Sequence, residues 1–150
     1  MERDYYKILL VAQSGKGKTY SARNLDPATT GFINVENKPL PFKNNFKHIG
    51  KPKNVSGVYA NIKTFAESNE IKIIFMDSLS AILDMILAEA RATKKGFDVW
   101  NFYNEQVAGL LRLIKSVNKE MIITAHYEWV QDEGGAKERR TKTKGEALPL

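Results

Sequence analysis

The fold is decided by the stretch Lys7-Ile8-Leu9-Leu10-Val11-Ala12-Gln13-Ser14-Gly15-Lys16-Gly17-Lys18-Thr19. An apolar run leads directly into a glycine-rich turn that ends in Gly-Lys-Thr, and residues 20–25 then predict a short helix. A strand, a turn of this kind and a helix together form a phosphate-binding loop, whose backbone N–H groups surround an anion. The pattern usually begins with glycine, so the alanine at position 12 requires a negative φ there.

The loop residues predict the contacts of a nucleoside triphosphate. Lys18 can reach the β- and γ-phosphates as a point charge, and the hydroxyl of Thr19 can ligate Mg²⁺. An ordinary glycine turn with exposed lysines is the alternative, and the flanking strand and helix argue against it. We therefore predict that ATP and Mg²⁺ are the cofactors, and that the nucleotide is bound by Ser14, Gly15, Lys16, Gly17, Lys18, Thr19 and Tyr20.

The composition limits the chemistry that the chain can carry. Its 150 residues are enough for one domain, and 43% hydrophobic and 27% charged residues are ordinary for a globular protein. The sequence has no cysteine, which excludes disulfides and thiolate metal sites and leaves a hard, oxygen-bound ion such as Mg²⁺. With no apolar run of membrane-spanning length and no secretion signal, we expect a cytoplasmic protein with no membrane partner.

The net charge of +6 favours a polyanionic partner, although a basic surface that is merely solvated explains it equally well.

The order of apolar runs predicts an α/β fold with a mostly parallel sheet. Nearly continuous apolar runs at 8–11, 32–35, 71–76 and 121–125 are typical of strands that are covered on both faces. Between them, helical spacing of apolar residues predicts amphipathic helices within 58–66, 82–90 and 103–117, the second of which stops near Gly96. Such alternation implies right-handed crossovers and helices on both faces of the sheet.

Two segments lack this periodicity. Residues 37–57 contain prolines and lysines and are predicted to form a long loop. Residues 127–150 are predicted to form a basic hairpin or flexible arm of the same domain, whose core is residues 1–126.

Three further residues follow apolar runs and are candidates for the chemistry of an ATP site. Asp77 ends the third run, as the Mg²⁺-associated aspartate of a Walker B element does, although it could instead cap the next helix. Many ATPases place a catalytic glutamate directly after that aspartate, where this chain has Ser78. Glu36, after the second run, is then the best-placed carboxylate to activate water, and a solvated glutamate is the alternative. His126 ends the fourth run and would face the γ-phosphate if that strand lies between the first and the third.

Together these segments resemble the RecA-like recombinase ATPases, and in particular the small phage single-strand annealing ATPases. The resemblance implies a P-loop NTPase with a three-layer αβα core. It implies that Lys18, Glu36, Asp77 and His126 are catalytic, that Thr19 and Asp77 hold the metal, and that His126 couples the γ-phosphate to a DNA-binding loop. The coupling residue is commonly glutamine in recombinases. Their core also has further strands, so the first strand here needs covering by the tail or another subunit.

The basic tail is a candidate nucleic-acid arm. Aromatic and cationic residues follow His126, and both kinds of side chain bind single strands: Tyr127, Trp129, Lys137, Arg139, Arg140, Lys142 and Lys144. A solvated tail is one alternative. In a homo-oligomer, Arg139, Arg140, Lys142 or Lys144 could instead reach the γ-phosphate of a neighbouring subunit.

These observations predict a protein that binds Mg·ATP, hydrolyses it slowly or on DNA stimulation, and acts on single-stranded DNA in phage-type recombination or annealing. The alternatives are a small-molecule or nucleotide kinase and a non-hydrolysing, ATP-gated binding module.

Overall fold

The structure, a computed structural model, describes residues 3–131 and 137–141. The strands are β1 (Lys7–Ala12), β2 (Thr30–Asn34), β3 (His48–Gly50), β4 (Ile73–Asp77), β5 (Glu120–Gln131) and β6 (Lys137–Thr141). The helices are a 3-10 helix (Thr19–Asn24), α1 (Val55–Glu67), α2 (Leu79–Thr93) and α3 (Phe97–Ser116).

The strands form a sheet in the order β1-β5-β4-β2-β3, and every pair in this series is parallel. The predicted parallel α/β fold is confirmed, and each of the predicted apolar runs contributes a strand. The prediction of an unbroken loop over 37–57 is wrong, because β3 lies within it. This strand has only three residues, His-Ile-Gly, which are too few to produce an apolar run, and it is defined by its pairing with Gly31–Ile33 of β2.

The two faces of the sheet are covered differently. Alternate residues of β2, β4 and β5 pack with the buried sides of α1, α2 and α3 in the main core. On the other face, Phe32 and Phe75 pack with Ala22 of the 3-10 helix and with Phe42 and Phe46 of the following loop. The expected helical layer on this second face is therefore supplied by one turn-like helix and a loop, because residues 36–47 bring enough aromatic surface to cover it.

Side-chain hydrogen bonds cap both ends of α1. The side chain of Asn54 accepts a hydrogen bond from the amide of Gly57 (2.8 Å) at the start of α1. At its other end, the ammonium of Lys119 donates to the carbonyls of Phe65 (2.7 Å) and Ser68. Gly96, with a φ of 58°, separates α2 from α3, as its position in the sequence predicts.

β1 lies at the edge of the sheet, as the resemblance to RecA-like ATPases implies. Among the described residues its only strand neighbour is β5. Ile8, Leu9 and Val11 are 47%, 47% and 40% exposed, and their side chains alternate between the two faces of the sheet. What covers this apolar edge stays a prediction.

β5 runs through His126 without interruption and pairs with the antiparallel β6, where Tyr127 lies opposite Thr141. The division into a core and an arm at this position stays a prediction. Within the described part of the chain, no helix has both the length and the apolar character that crossing a membrane requires.

Candidate nucleotide site

The glycine-rich loop follows β1 at the carboxyl end of the sheet. Gly15 and Gly17 have φ values of 77° and 90°, which only glycine adopts readily. Among the described non-glycine residues only Asn37 has a positive φ, so the condition placed on Ala12 is met. The amides of Ser14, Gly15 and Gly17 donate to no acceptor within residues 3–131 and 137–141, and they remain available for an anion.

Lys18 is the buried member of an otherwise exposed loop. Its ammonium donates to the carbonyls of Ala12 (2.7 Å) and Gln13 (2.9 Å), so the side chain folds back over the loop. Burial lowers the pKa of Lys18, and the nearby carboxylates of Asp77 and Glu36 act in the opposite direction. The side chain is therefore placed to exchange weak carbonyl partners for phosphate oxygens.

Asp77 is held between two hydroxyls. Its Oδ2 accepts from Thr19 (2.8 Å) and its Oδ1 accepts from Thr124 on β5 (2.5 Å). The alternative role as a helix cap is excluded, because the cap of α2 is Ser78, whose hydroxyl accepts from the amide of Ala81. Thr19 and Asp77, the predicted metal ligands, therefore lie side by side.

This donor set fits Mg²⁺ bound to a nucleotide. No group of three or more His, Asp or Glu residues forms a metal site within the described ranges. Mg²⁺, however, usually takes one or two carboxylates from the protein and completes its coordination with phosphate oxygens and water. One carboxylate and one hydroxyl beside a phosphate-binding loop are therefore sufficient.

Glu36 lies at the centre of a second hydrogen-bonded cluster. Its Oε1 accepts from the hydroxyl of Ser78 (2.7 Å) and lies 2.6 Å from Nε2 of His126, while Oε2 pairs with Lys38 at 3.3 Å. β2 and β4 bring these residues together, because the carbonyl of Asp77 accepts from the amides of Val35 (2.7 Å) and Glu36 (3.2 Å).

The cluster keeps Glu36 ionised. Burial by itself would raise the pKa of this carboxyl group, but the hydrogen bonds from Ser78 and His126 and the charges beside it prevail and lower the pKa to about 2. Glu36 is consequently a carboxylate at neutral pH. Since a carboxylate only accepts hydrogen bonds, Nε2 of His126 carries the proton between them.

His126 connects three elements at the end of the sheet. β5 lies between β1 and β4, the position on which the prediction for His126 depended. The His126 amide donates to the hydroxyl of Ser80 on α2 (3.0 Å), and the ring reaches Glu36 after β2. Its Nδ1 is buried and has no hydrogen-bond partner among the described residues.

Sequence reasoning missed several residues of the site. Thr124 holds Asp77, Ser78 holds Glu36 as well as capping α2, and Lys38 pairs with Glu36. Thr124 could have been found, since it stands two residues before His126 and therefore points to the same face of β5. Nothing in the sequence distinguishes Ser78 from an ordinary cap or Lys38 from the other lysines of its loop.

The predicted nucleic-acid residues are only partly placed. Tyr127 is half-buried and lines a cleft of about 730 Å³ together with Ser14, Glu36 and His126. Trp129 lies on β5, and Lys137, Arg139 and Arg140 lie on β6. Lys142 and Lys144 lie outside the described residues.

Comparison with known protein families identifies the family to which the chain belongs. Residues 4–147 match the family described as an AAA domain. The chain belongs to this AAA family. The assignment covers the phosphate-binding loop, Glu36, Asp77 and His126 in one match, and it makes the chain a P-loop ATPase-type domain. No match to a curated protein was found.

The low pKa of Glu36 predicts how the stability of this AAA domain depends on pH. The pKa is depressed from 4.5 to about 2, so the stabilisation is present above pH 4.5 and is lost as the pH falls toward 2. In urea unfolding between pH 7 and pH 3, the Glu36→Gln variant should lack this loss and approach the parent free energy at the acid end. Glu67→Gln, which removes an exposed carboxylate from α1, reports the effect of net charge alone. Parallel curves for the parent and Glu36→Gln would contradict the prediction.

Proposed function

We propose that this AAA domain binds Mg·ATP and hydrolyses it slowly, and that it acts on single-stranded DNA. The observation that carries the ATPase part is the convergence of Lys18, Thr19, Asp77, Glu36 and His126 at the carboxyl ends of neighbouring strands. In open α/β sheets, ligands bind at this edge.

Each of these residues has a role that its contacts suit. Lys18 binds the phosphate oxygens, and Thr19 and Asp77 hold the metal ion. When bound, Mg²⁺ neutralises the charge of the phosphates. Glu36 orients the attacking water and accepts its proton, and His126, whose Nε2 donates to Glu36, positions that carboxylate.

The state of Glu36 supports slow turnover. A carboxylate with a pKa of about 2 is a weak base at neutral pH, and its Oε1 already accepts from Ser78 and His126. Within the described part of the chain, Oε2 pairs with Lys38 alone, whose side chain is 72% exposed, so a water could take the place of that ammonium. Hydrolysis would then depend on loosening one ion pair.

The DNA part of the proposal rests on the positive charge of the chain and on the pairing of β6 with β5, the strand that contains His126. The chain carries a net charge of +6, and β6 includes the sequence Lys-Glu-Arg-Arg-Thr. β6 pairs with the extension of the strand that contains His126, so a change at His126 has a direct backbone route to this hairpin. The resemblance to phage recombination and annealing ATPases favours single-stranded DNA as the polyanion.

The ATPase rate with and without single-stranded DNA tests the proposal. Stimulation by DNA is the expected result. Turnover that requires a small acceptor molecule would favour a kinase, and ATP binding without turnover under any condition would favour an ATP-gated binding module. A specific activity that rises with protein concentration would support basic residues that act on the nucleotide of a second copy.

Neutralising the basic hairpin should weaken DNA binding. Replacing Arg139, Arg140 and Lys142 by Gln removes charges that displace counterions, so the slope of log affinity against log salt should flatten by about 0.7 for each lost phosphate contact. Fluorescence anisotropy at several salt concentrations measures both effects.

A variant with the same charge change, Lys43→Gln, Lys47→Gln and Lys51→Gln, controls for overall charge, because these exposed lysines lie in the loops that flank β3 and outside β6. Equal losses of affinity in both variants would show that the hairpin has no special role.

A further inference from the structure

A series of aromatic rings runs from the interior of the sheet to the end of the phosphate-binding loop. Phe75 stacks on Phe32 with ring centroids 5.1 Å apart, and Phe32 contacts Phe46 at 5.3 Å. Phe46 meets Phe42 edge to face at 6.2 Å, and Phe42 meets Tyr20 in the same way at 6.1 Å. Tyr20 is thus an aromatic ring held in place by a buried support.

Tyr20 is also the exposed end of this series. It follows Thr19 directly and is 45% exposed, whereas Phe32 and Phe75 are fully buried. The guanidinium carbon of Arg23 lies 4.4 Å from the Tyr20 ring centroid, and Arg23 donates to the Tyr20 carbonyl (3.3 Å). Phe42 contacts the ring edge to face, and Arg23 covers part of one face.

We propose that Tyr20, supported by Arg23 and Phe42, is the stacking platform for the base of the bound nucleotide. This inference depends on the proposed function, because it assumes that the β- and γ-phosphates occupy the loop. The α-phosphate and ribose then continue past Thr19, and the base reaches the first side chain that follows it. A planar base stacks on an aromatic ring or on a guanidinium plane, and both are offered here.

The proposal also defines the kind of selectivity to expect. Stacking depends on the area of the π-face and not on the hydrogen-bonding edge of the base, so both purine triphosphates should bind. Pyrimidine triphosphates, which have a smaller face, should bind less tightly.

Calorimetry of the full chain with Mg·ATP and with magnesium tripolyphosphate separates the base from the phosphates. Stacking on an aromatic side chain contributes ~1–3 kcal/mol by alanine substitution, so Tyr20→Ala should weaken ATP binding about 5- to 150-fold. Its affinity for tripolyphosphate should equal that of the parent. Tyr20→Phe should keep the parent affinity for ATP, and Arg23→Gln should weaken ATP binding less than Tyr20→Ala does. Tyr6→Ala is the matched control, since Tyr6 is 73% exposed and precedes β1.

Two results would overturn the platform: unchanged ATP affinity in Tyr20→Ala, or an equal loss of affinity for ATP and tripolyphosphate, which would mean that Tyr20 supports the loop itself. A parent chain that binds neither ligand would instead refute the proposed nucleotide site. Should Tyr20→Ala fold poorly by circular dichroism, Arg23→Gln gives the same comparison, and its unchanged ATP affinity would overturn the proposal.

Discussion

Replacing Glu36 by Gln should reduce ATP turnover about 100- to 10,000-fold, the usual contribution of a general base, while Mg·ATP binds almost as tightly as before. Glutamine has nearly the same shape, and its amide oxygen can still accept hydrogen bonds from Ser78 and His126. It loses the negative charge and the ability to take a proton from water. Steady-state phosphate release together with calorimetry measures the two quantities separately.

Glu67→Gln provides the control for this experiment, because it removes an exposed glutamate that lies at the end of α1. A Glu36→Gln variant that hydrolyses ATP at the parent rate would show that another group activates the water. Loss of ATP binding would assign Glu36 a role in building the site, and its catalytic role would then be withdrawn.

Replacing Lys18 by Ala is the second change with a large expected effect. Hydrogen bonds to charged groups contribute ~1.5–3 kcal/mol each, so the affinity for Mg·ATP should fall about 10- to 100-fold. Turnover should become undetectable, because the same ammonium would stabilise charge on the phosphates during reaction. Calorimetry and an ATPase assay at saturating nucleotide distinguish the two losses.

An exposed lysine on α1 offers the matched control. Lys63→Ala removes the same charge from a residue outside the phosphate-binding loop. A Lys18→Ala variant that binds Mg·ATP as tightly as Lys63→Ala and the parent would refute the nucleotide site.

The fold was predictable where local pattern and burial agree. Strands β2, β4 and β5 are buried on both faces, so their sequences are almost continuous in apolar residues and can be read directly. β3 was not predictable, because its three residues carry no pattern and its strand character comes from pairing with β2. The layer that covers the second face of the sheet was missed for a related reason. Phe42 and Phe46 lie in a loop whose apolar residues have no periodic spacing.

The residues of the candidate site likewise divide into those that the sequence predicts and those that it does not. Lys18, Thr19 and Asp77 belong to motifs with fixed spacing, and their mutual contact follows from the parallel strands that carry them. The contacts of Thr124, Ser78 and Lys38 depend on how different strands align. The register that places Asn34 opposite Asp77, for example, also brings Glu36 near Ser78. Serine, threonine and lysine are too common for a single sequence to mark such partners.

The hydroxyl of Ser78 links helix stability to the chemistry of the carboxylate. The hydroxyl oxygen accepts a hydrogen bond from the amide of Ala81 at the first turn of α2, and the hydroxyl group donates a hydrogen bond to Glu36. A ligand that enters the neighbouring cleft and displaces the first turn of α2 would therefore also break the hydrogen bond from Ser78 to Glu36. Loss of this hydrogen bond would raise the pKa of Glu36, so a displacement of α2 would make the carboxylate a stronger base.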